Sequence, residues 1–396
     1  MKVVFVSNYM VIHQKPFCDA MIKLVGVDNF KFIACEELEA YRKTSGYLDM
    51  NDDPCVIKAY KSEDEKQRAR EFATEADVAI VTINYSEWLR LRSKREGGLN
   101  FVYIERLLKI GLWYRFFPYP KYKQAWENCL KWRHDERFHM LCASAFGSSD
   151  LQLFRPGFPL ERCWKWGYFP AVDLAVEDNA IETAAGSVSI VWVARLIRLK
   201  RPWMALEMAR RLKADGYSFH LSIIGGGKLE DQVKAYVARN NLQDCVEVTG
   251  AVPNDQVRAA MRAADILLFT SNRREGWGAV LNEGMCDGCI PVAASMIGSV
   301  PFLIEDGVNG YVFNDGSVDS LVGKIESLID QRENFPAMKT AARKTVVDVW
   351  NARVAAENFL ALSEALLSGG SGCVVAEGPA SPAEVMPDSW YNNKKR

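Results

Sequence analysis

SVSIVWVARLIRLKRPWMALEMARRLKADGYSFHLSIIGGG, residues 187–227, reads as strand, helix and strand. The apolar run 187–194 is followed by an amphipathic segment with Pro202 near its first turn and Gly216 just past its end, the places where each residue suits a helix. A second apolar run, FHLSIIG, then meets a glycine turn. The pattern continues. KLEDQVKAYVARNN reads as a helix, CVEVTG as a strand, NDQVRAAMRAA as a helix, DILLFT as a strand, AVLNEGMCDG as a helix and IPVAAS as a strand. Strict alternation with short connections predicts a parallel sheet covered on both faces. In such sheets ligands sit beyond the carboxyl ends of the strands.

The first half repeats the theme less cleanly. KVVFVS, FKFIAC, DVAIVTIN, LNFVYIE and FHMLCASA are strand candidates, and DEKQRAREFATEA is a polar-faced helix. A chain of 396 residues is too long for one ordinary core and predicts two domains. The expected division is a domain over 1–170, a polar, alanine-rich linker over 171–186, a second domain over 187–347 and a helix over 348–368. The tail 369–396, rich in Gly, Ser and Pro, reads as disordered.

Composition excludes some functions. A net charge of −1 gives no global basic field for nucleic acid, and no recognised RNA or DNA module is present. No window approaches 18 uninterrupted apolar residues, so no helix is expected to span a membrane. MKVVFVSNYM lacks the length and cleavage site of a signal peptide and reads as a first buried strand. The ten cysteines are scattered, and the single C-x-x-C, Cys286 and Cys289, has no second pair for zinc. They read as small buried residues of a reducing cytoplasm.

Three clusters in the second half carry possible chemistry. Arg195 ends a strand and Lys200 follows five residues on, a natural clamp for a diphosphate if the two are not merely solvated. Gly225, Gly226 and Gly227 follow a strand and precede a helix, where the backbone approaches either a ligand or a packed neighbour. In REGWGAVLNEG, residues 274–284, Glu275 precedes a Gly-Trp-Gly turn and Glu283 lies about one turn into a helix starting near Ala279. A phosphate at that helix start would have a carboxylate on either side, and carboxylates accept paired hydrogen bonds from vicinal hydroxyls. The arrangement suits a nucleotide-sugar. The alternative for Glu283 is a plain helix-surface acid.

Arg-Leu-x3-Lys, the glycine turn, E-G-W-G-A-V-L-N-E, G-C-I-P-V-A-A-S, I-G-S-V-P-F-L-I and D-G-V-N-G-Y-V-F occur in that order. They resemble the retaining glycosyltransferases of family 4 (group 1), of the bacterial polysaccharide-biosynthesis type. The resemblance covers 187 to about 365 well and is diffuse over 1–170. It implies an α/β fold of two Rossmann-like domains facing each other across a cleft, the GT-B fold. It implies that Arg195 and Lys200 bind the donor diphosphate and that Glu275 holds the hydroxyls of the transferred sugar. Glu283 would accept from the ribose, and the N–H groups of Ala279 and Val280, after Gly278, would complete the phosphate site. Thr249, Gly250 and Val252 would border the base. The donor is expected to be a UDP- or GDP-sugar, used with retention and without a metal or other cofactor. In agreement, the chain has no Asp-x-Asp motif. The rival readings are a GT-B-type epimerase or phosphorylase, and a nucleotide-sugar-binding protein without turnover.

The first domain is then expected to hold a glycan or polyprenyl-diphosphate-linked acceptor. Pro16 suits the first turn of a helix, which leaves His13 in the preceding loop. Glu105 and Arg106 end a strand. Many relatives carry Gly-Gly in the first loop, where this chain has NYMVIHQKP. The stretch 106–133 interleaves seven basic residues with eight large aromatic rings and one acid, Glu127. That composition suits the anionic inner face of a membrane, with the protein cytoplasmic and peripheral, or an aromatic cluster packed on the core.

Overall fold

A computed structural model describes the chain except residues 40–48, 110, 112–118, 155, 173–185 and 394–396, and the side chains of 119–121 and 393. The chain forms two compact units. The first comprises Met1–Ala171 and Trp350–Pro387, the second Val172–Val349 and Asp388–Arg396. Most of the expected linker lies outside the described residues.

The first unit is built on β1 (Val3–Ser7), β2 (Phe30–Ala34), β3 (Val56–Lys58), β4 (Val78–Thr82), β5 (Leu99–Ile104), β6 (Phe138–Cys142) and β7 (Cys163–Lys165). Their order is β3-β2-β1-β4-β5-β6-β7, and every pairing is parallel. β1, β5 and β6 are buried along their whole length, as continuous apolar strands covered on both faces must be. The helix Glu63–Glu75 starts where the Ser62 hydroxyl accepts from the Glu65 N–H at 3.1 Å, with three acids in its first turn. The helix Lys15–Val25 has its proline in the first turn, leaving His13 in the loop before it. Helix Ala352–Leu367 returns to this unit, capped by Asn351, and lays Phe359 among Phe17, Phe101 and Trp166 at centroid distances of 5.0–6.3 Å.

The second unit holds β8 (Val188–Val193), β9 (Phe219–Ile224), β10 (Val246–Gly250), β11 (Ile266–Phe269), β12 (Ile290–Ala294) and β13 (Tyr311–Phe313). The order is β10-β9-β8-β11-β12-β13, again parallel throughout. The chain winds outward from β8 to β10, then returns beside β8 and winds the other way. The reversal falls between β8 and β11.

The expectation of a disordered tail is corrected. Ala380 and Ala383 donate their N–H groups to the carbonyls of Lys165 and Cys163 at 2.7 and 2.8 Å, and Lys165 donates back to Ser381 at 2.8 Å. The tail thus lines the β7 edge, and the Met386 N–H reaches the Ser149 hydroxyl at 2.6 Å. Beyond Pro387, Trp390 and Tyr391 are buried in the second unit. Backbone groups at an open sheet edge gain partners this way, which a composition rich in small residues and proline permits.

Candidate functional site

The loops that leave β8 and β11 meet at the reversal point of the second sheet. The Lys200 ammonium donates to the Glu275 carboxylate, and each side chain is 15% exposed. Lys200 also lies 5.8 Å from the centroid of the Phe269 ring. Below the pair, the Thr270 hydroxyl accepts from the Trp192 indole N–H at 2.9 Å and donates to the Lys200 carbonyl at 2.7 Å. The Asn272 N–H reaches the Leu199 carbonyl at 3.1 Å. Arg201 adopts a left-handed backbone with φ of 51°, uncommon for a residue with a side chain. Its guanidinium is gripped by the Asp315 carboxylate at 2.5 and 3.4 Å. A conformation of that kind persists where surrounding contacts over-determine it.

Arg195 stands at the same sheet end but is exposed, and it makes no ion pair among the described residues. The glycine turn fixes where it leaves the sheet. At Gly225, φ is 134°, and a Cβ would lie 2.0 Å from the Ala194 carbonyl oxygen. The Leu196 N–H donates to Gly226 at 2.9 Å. Tight packing against the Arg195 loop therefore requires Gly225 and also Gly227, where a Cβ would lie 2.6 Å from the Leu196 carbonyl oxygen, whereas Gly226 has room for a side chain. Thr249, Gly250 and Val252 lie at the carboxyl end of β10, where the Gly250 carbonyl accepts from the Gly225 N–H at 2.8 Å.

The Gly-Trp-Gly turn is built on a buried indole. Trp277 donates from its ring N–H to the Asn282 side chain at 2.8 Å, and its carbonyl accepts from the Ser299 hydroxyl at 2.7 Å. Gly278 has φ of 86°, and a Cβ there would meet the Phe269 ring at 2.3 Å. After Ala279 comes the helix Val280–Cys286. Glu283 is buried on it, which excludes the alternative of a surface acid. Burial pushes its carboxyl up to about 7, with Arg258 acting downward and Asp287 upward. Arg258 and Asp287 are themselves bonded at 2.8 Å. Cys286 and Cys289 are both buried.

In the first unit, Glu105 follows β5 and His13 lies in the loop after β1. Tyr168, a few residues past β7, connects them. Its ring stacks on His13 at 6.4 Å with planes 8° apart, and its hydroxyl bonds to the Glu105 carboxylate. Lys109 pairs with the other Glu105 oxygen. Burial lowers the His13 imidazole to about 4, so it is neutral at pH 7. The candidate Arg106 is different. Its side chain is 1% exposed, lies 3.7 Å from the Asp150 carboxylate and stacks over Phe146 at 4.5 Å. Arg106 is thus a buried cation held between Asp150 and Phe146 rather than an open side chain at the strand end. The described part of 106–133 also turns inward. Tyr122, Trp126 and Trp132 pack against the core, Trp132 stacks on Phe138 at 4.4 Å, and Glu127 pairs with Arg90 and Lys131. Trp113, Tyr114, Arg115, Phe116 and Phe117 lie outside the described residues.

Sequence reasoning did not single out Tyr168, Thr270, Arg201 or Asp315. Thr270 closes the run DILLFT, and a polar residue at the carboxyl end of a strand was the available signal. Nothing local marks the other three, whose partners lie far away in the chain.

Residues 177–345 match the family model of glycosyl transferases group 1. The amylovoran biosynthesis glycosyltransferase AmsK of Erwinia amylovora is 32% identical over 182 residues, 45% of this chain and 44% of that protein. The putative colanic acid biosynthesis glycosyltransferase WcaL of Escherichia coli (strain K12) is 30% identical over 193 residues, 47% of each. The matched region thus spans about half the length of these curated relatives. The crystal structure of Anabaena Alr3699/HepE in complex with UDP superimposes with a TM-score of 0.64, covering 93% of this chain and all of that one. At 16% identity the likeness concerns the fold, which is GT-B.

Proposed function

We propose that the chain transfers a sugar from a nucleotide diphosphate-sugar to a glycan or lipid-linked acceptor, with retention of anomeric configuration and no metal ion. The observation that carries this reading is the Lys200–Glu275 pair at the carboxyl ends of β8 and β11. Breaking the bond between sugar and diphosphate develops negative charge on the leaving oxygen. Arg195, Lys200 and the N–H groups of Ala279 and Val280 would stabilise that charge as it forms. Glu275 would accept from hydroxyls of the transferred sugar, and Glu283 from the ribose. The donor's own phosphate would take the acceptor proton, so no strong protein base is required. On the first unit, the neutral His13, Tyr168 and Glu105 offer a ring face and hydrogen-bonding groups to a sugar acceptor.

The names of AmsK and WcaL favour surface polysaccharide as the product class, and the HepE complex favours UDP as the carrier. A thermal-shift screen of UDP-, GDP- and ADP-sugars tests the donor, and proton NMR of the product anomer tests retention. No stabilisation by any nucleotide-sugar would refute the reading. Binding at a membrane's inner face belongs to the same proposal. Sedimentation equal on anionic and neutral vesicles, or absent on both, would remove it.

A further inference from the structure

We infer that the segment Asp388–Tyr391 is a positioning element for both loops that carry the donor residues. This rests on the donor reading given above and adds residues outside the motif-bearing stretch. Asp388 pairs with Arg273 at 3.1 Å, and Arg273 lies two residues before Glu275 in the loop after β11. Trp390, buried, donates its indole N–H to the carbonyl of Ser295 at 2.8 Å. Ser295 follows β12, and its hydroxyl accepts from the Asp315 N–H at 3.2 Å. Asp315 in turn grips Arg201, which follows Lys200 and holds the left-handed backbone described above. Tyr391, also buried, donates its hydroxyl to the carbonyl of Val312 at 2.5 Å and fixes the segment on β13.

Two chains of contact therefore start from four consecutive residues. One ends beside Glu275, the other beside Lys200. The Asp388–Arg273 pair is partly exposed, so its strength is modest and it serves mainly to set the register of the loop. The indole and phenol supply the anchoring, since each buries a large ring and satisfies its polar tip on a backbone carbonyl. A segment anchored on β12 and β13 that touches both donor loops restrains the distance between a cation and a carboxylate that must act on one ligand. Residues placed this way act through others, and misplacement of a donor group by an ångström is enough to slow a reaction.

The test compares the full chain with five variants: truncation after Pro387, Trp390→Phe, the single changes Arg273→Asp and Asp388→Arg, and these two combined. Hydrogen exchange is read over 270–279 and 294–297, with helix Glu63–Glu75 of the first unit as internal reference. Binding of UDP, GDP and ADP is read by titration. Truncation is expected to speed exchange over 270–279 about tenfold, and Trp390→Phe, which keeps an aromatic ring but loses the N–H and part of the ring's bulk, to do so over 294–297. The single charge changes should each loosen 270–279, and the combined swap should restore protection. Nucleoside diphosphate affinity should fall severalfold in the loosened variants, with KM for the donor raised and KM for the acceptor unchanged. Unaltered exchange on truncation and in Trp390→Phe, or a combined swap no better than the single changes, would overturn the inference. If exchange responds as described but the full chain binds none of the three nucleotides, the bracing stands and the donor reading falls.

Discussion

Lys200 donates its ammonium to the carboxylate of Glu275, so the loop leaving β8 and the loop leaving β11 share one charge-assisted hydrogen bond. Neither residue is free to serve as a surface charge, because each side chain is 15% exposed. On the proposed reading, a diphosphate arriving here would meet a cation already placed, with a carboxylate oxygen held beside the position of the sugar.

Replacing Lys200 by Ala is expected to lower kcat about 10²–10³-fold, the range seen when one preset donor to a developing oxyanion is removed. Arg195→Ala offers a cleaner contrast. Arg195 is exposed, so its loss should leave stability within about 0.5 kcal/mol of the parent while turnover falls more than tenfold. Steady-state kinetics and a melting curve on the same preparation check this. Turnover within twofold of the parent would remove Arg195 from the site.

Glu283 predicts a pH signature. Its folded pKa of about 7 lies above the usual 4.5, because burial disfavours the carboxylate. A raised carboxyl contributes stability that is present below pH 4.5 and lost as pH rises through 7, an effect of about 3 kcal/mol at most. A ribose that donates to the ionised form has the opposite dependence, so donor affinity should rise between pH 5.5 and about 7.5. Isothermal titration across that window should show the slope in the parent and none in Glu283→Gln. A flat parent profile would detach Glu283 from the ribose.

Gly278→Ala should destabilise for two separable reasons. The positive φ costs about 1–2 kcal/mol for any side chain, and the new methyl collides with the Phe269 ring, adding about 1–3 kcal/mol of overpacking. Shortening Phe269 to Leu in the same chain should recover the second part only. Urea denaturation of the two variants gives the split.

Acid should act on the first unit through His139. The Trp164 indole donates to its Nδ1 at 3.2 Å, and burial lowers the imidazole to about 4. The folded state therefore binds this proton later than the unfolded one. Stability is unaffected by this group above pH 6.5 and falls as pH drops from 6.5 toward 4, by about 3 kcal/mol at the end of that range. His139→Asn, which keeps an acceptor for the indole, should show a shallower decline in its denaturation midpoint.

The second sheet was legible because its strands are buried on both faces, and DILLFT or IPVAAS can be little else when glycine and helix flank them. The short edge strands β3 and β7 were not, since VIK and CWK are too brief to show a period. Lys200 and Glu275 could be assigned to one site from their motifs, though not to a direct bond with each other, which needs the reversal of winding that brings their two loops together. Arg106 could not be placed, because a charge at a strand end looks solvated until Asp150, far along the chain, is seen beside it. The tail misled through its composition, although Trp390 and Tyr391 in a polar stretch were a signal that something there is anchored.

The helix Ala352–Leu367 completes the core of the first unit by placing Phe359 against Phe17, Phe101 and Trp166. During synthesis, residues 1–171 emerge long before that ring does. The ribosome therefore releases the earlier half with an unsealed apolar face, while the strands and helices of the later half can already assemble. The portion translated first must wait for a helix made after most of the second unit, and its apolar face is where a chaperone would be needed most.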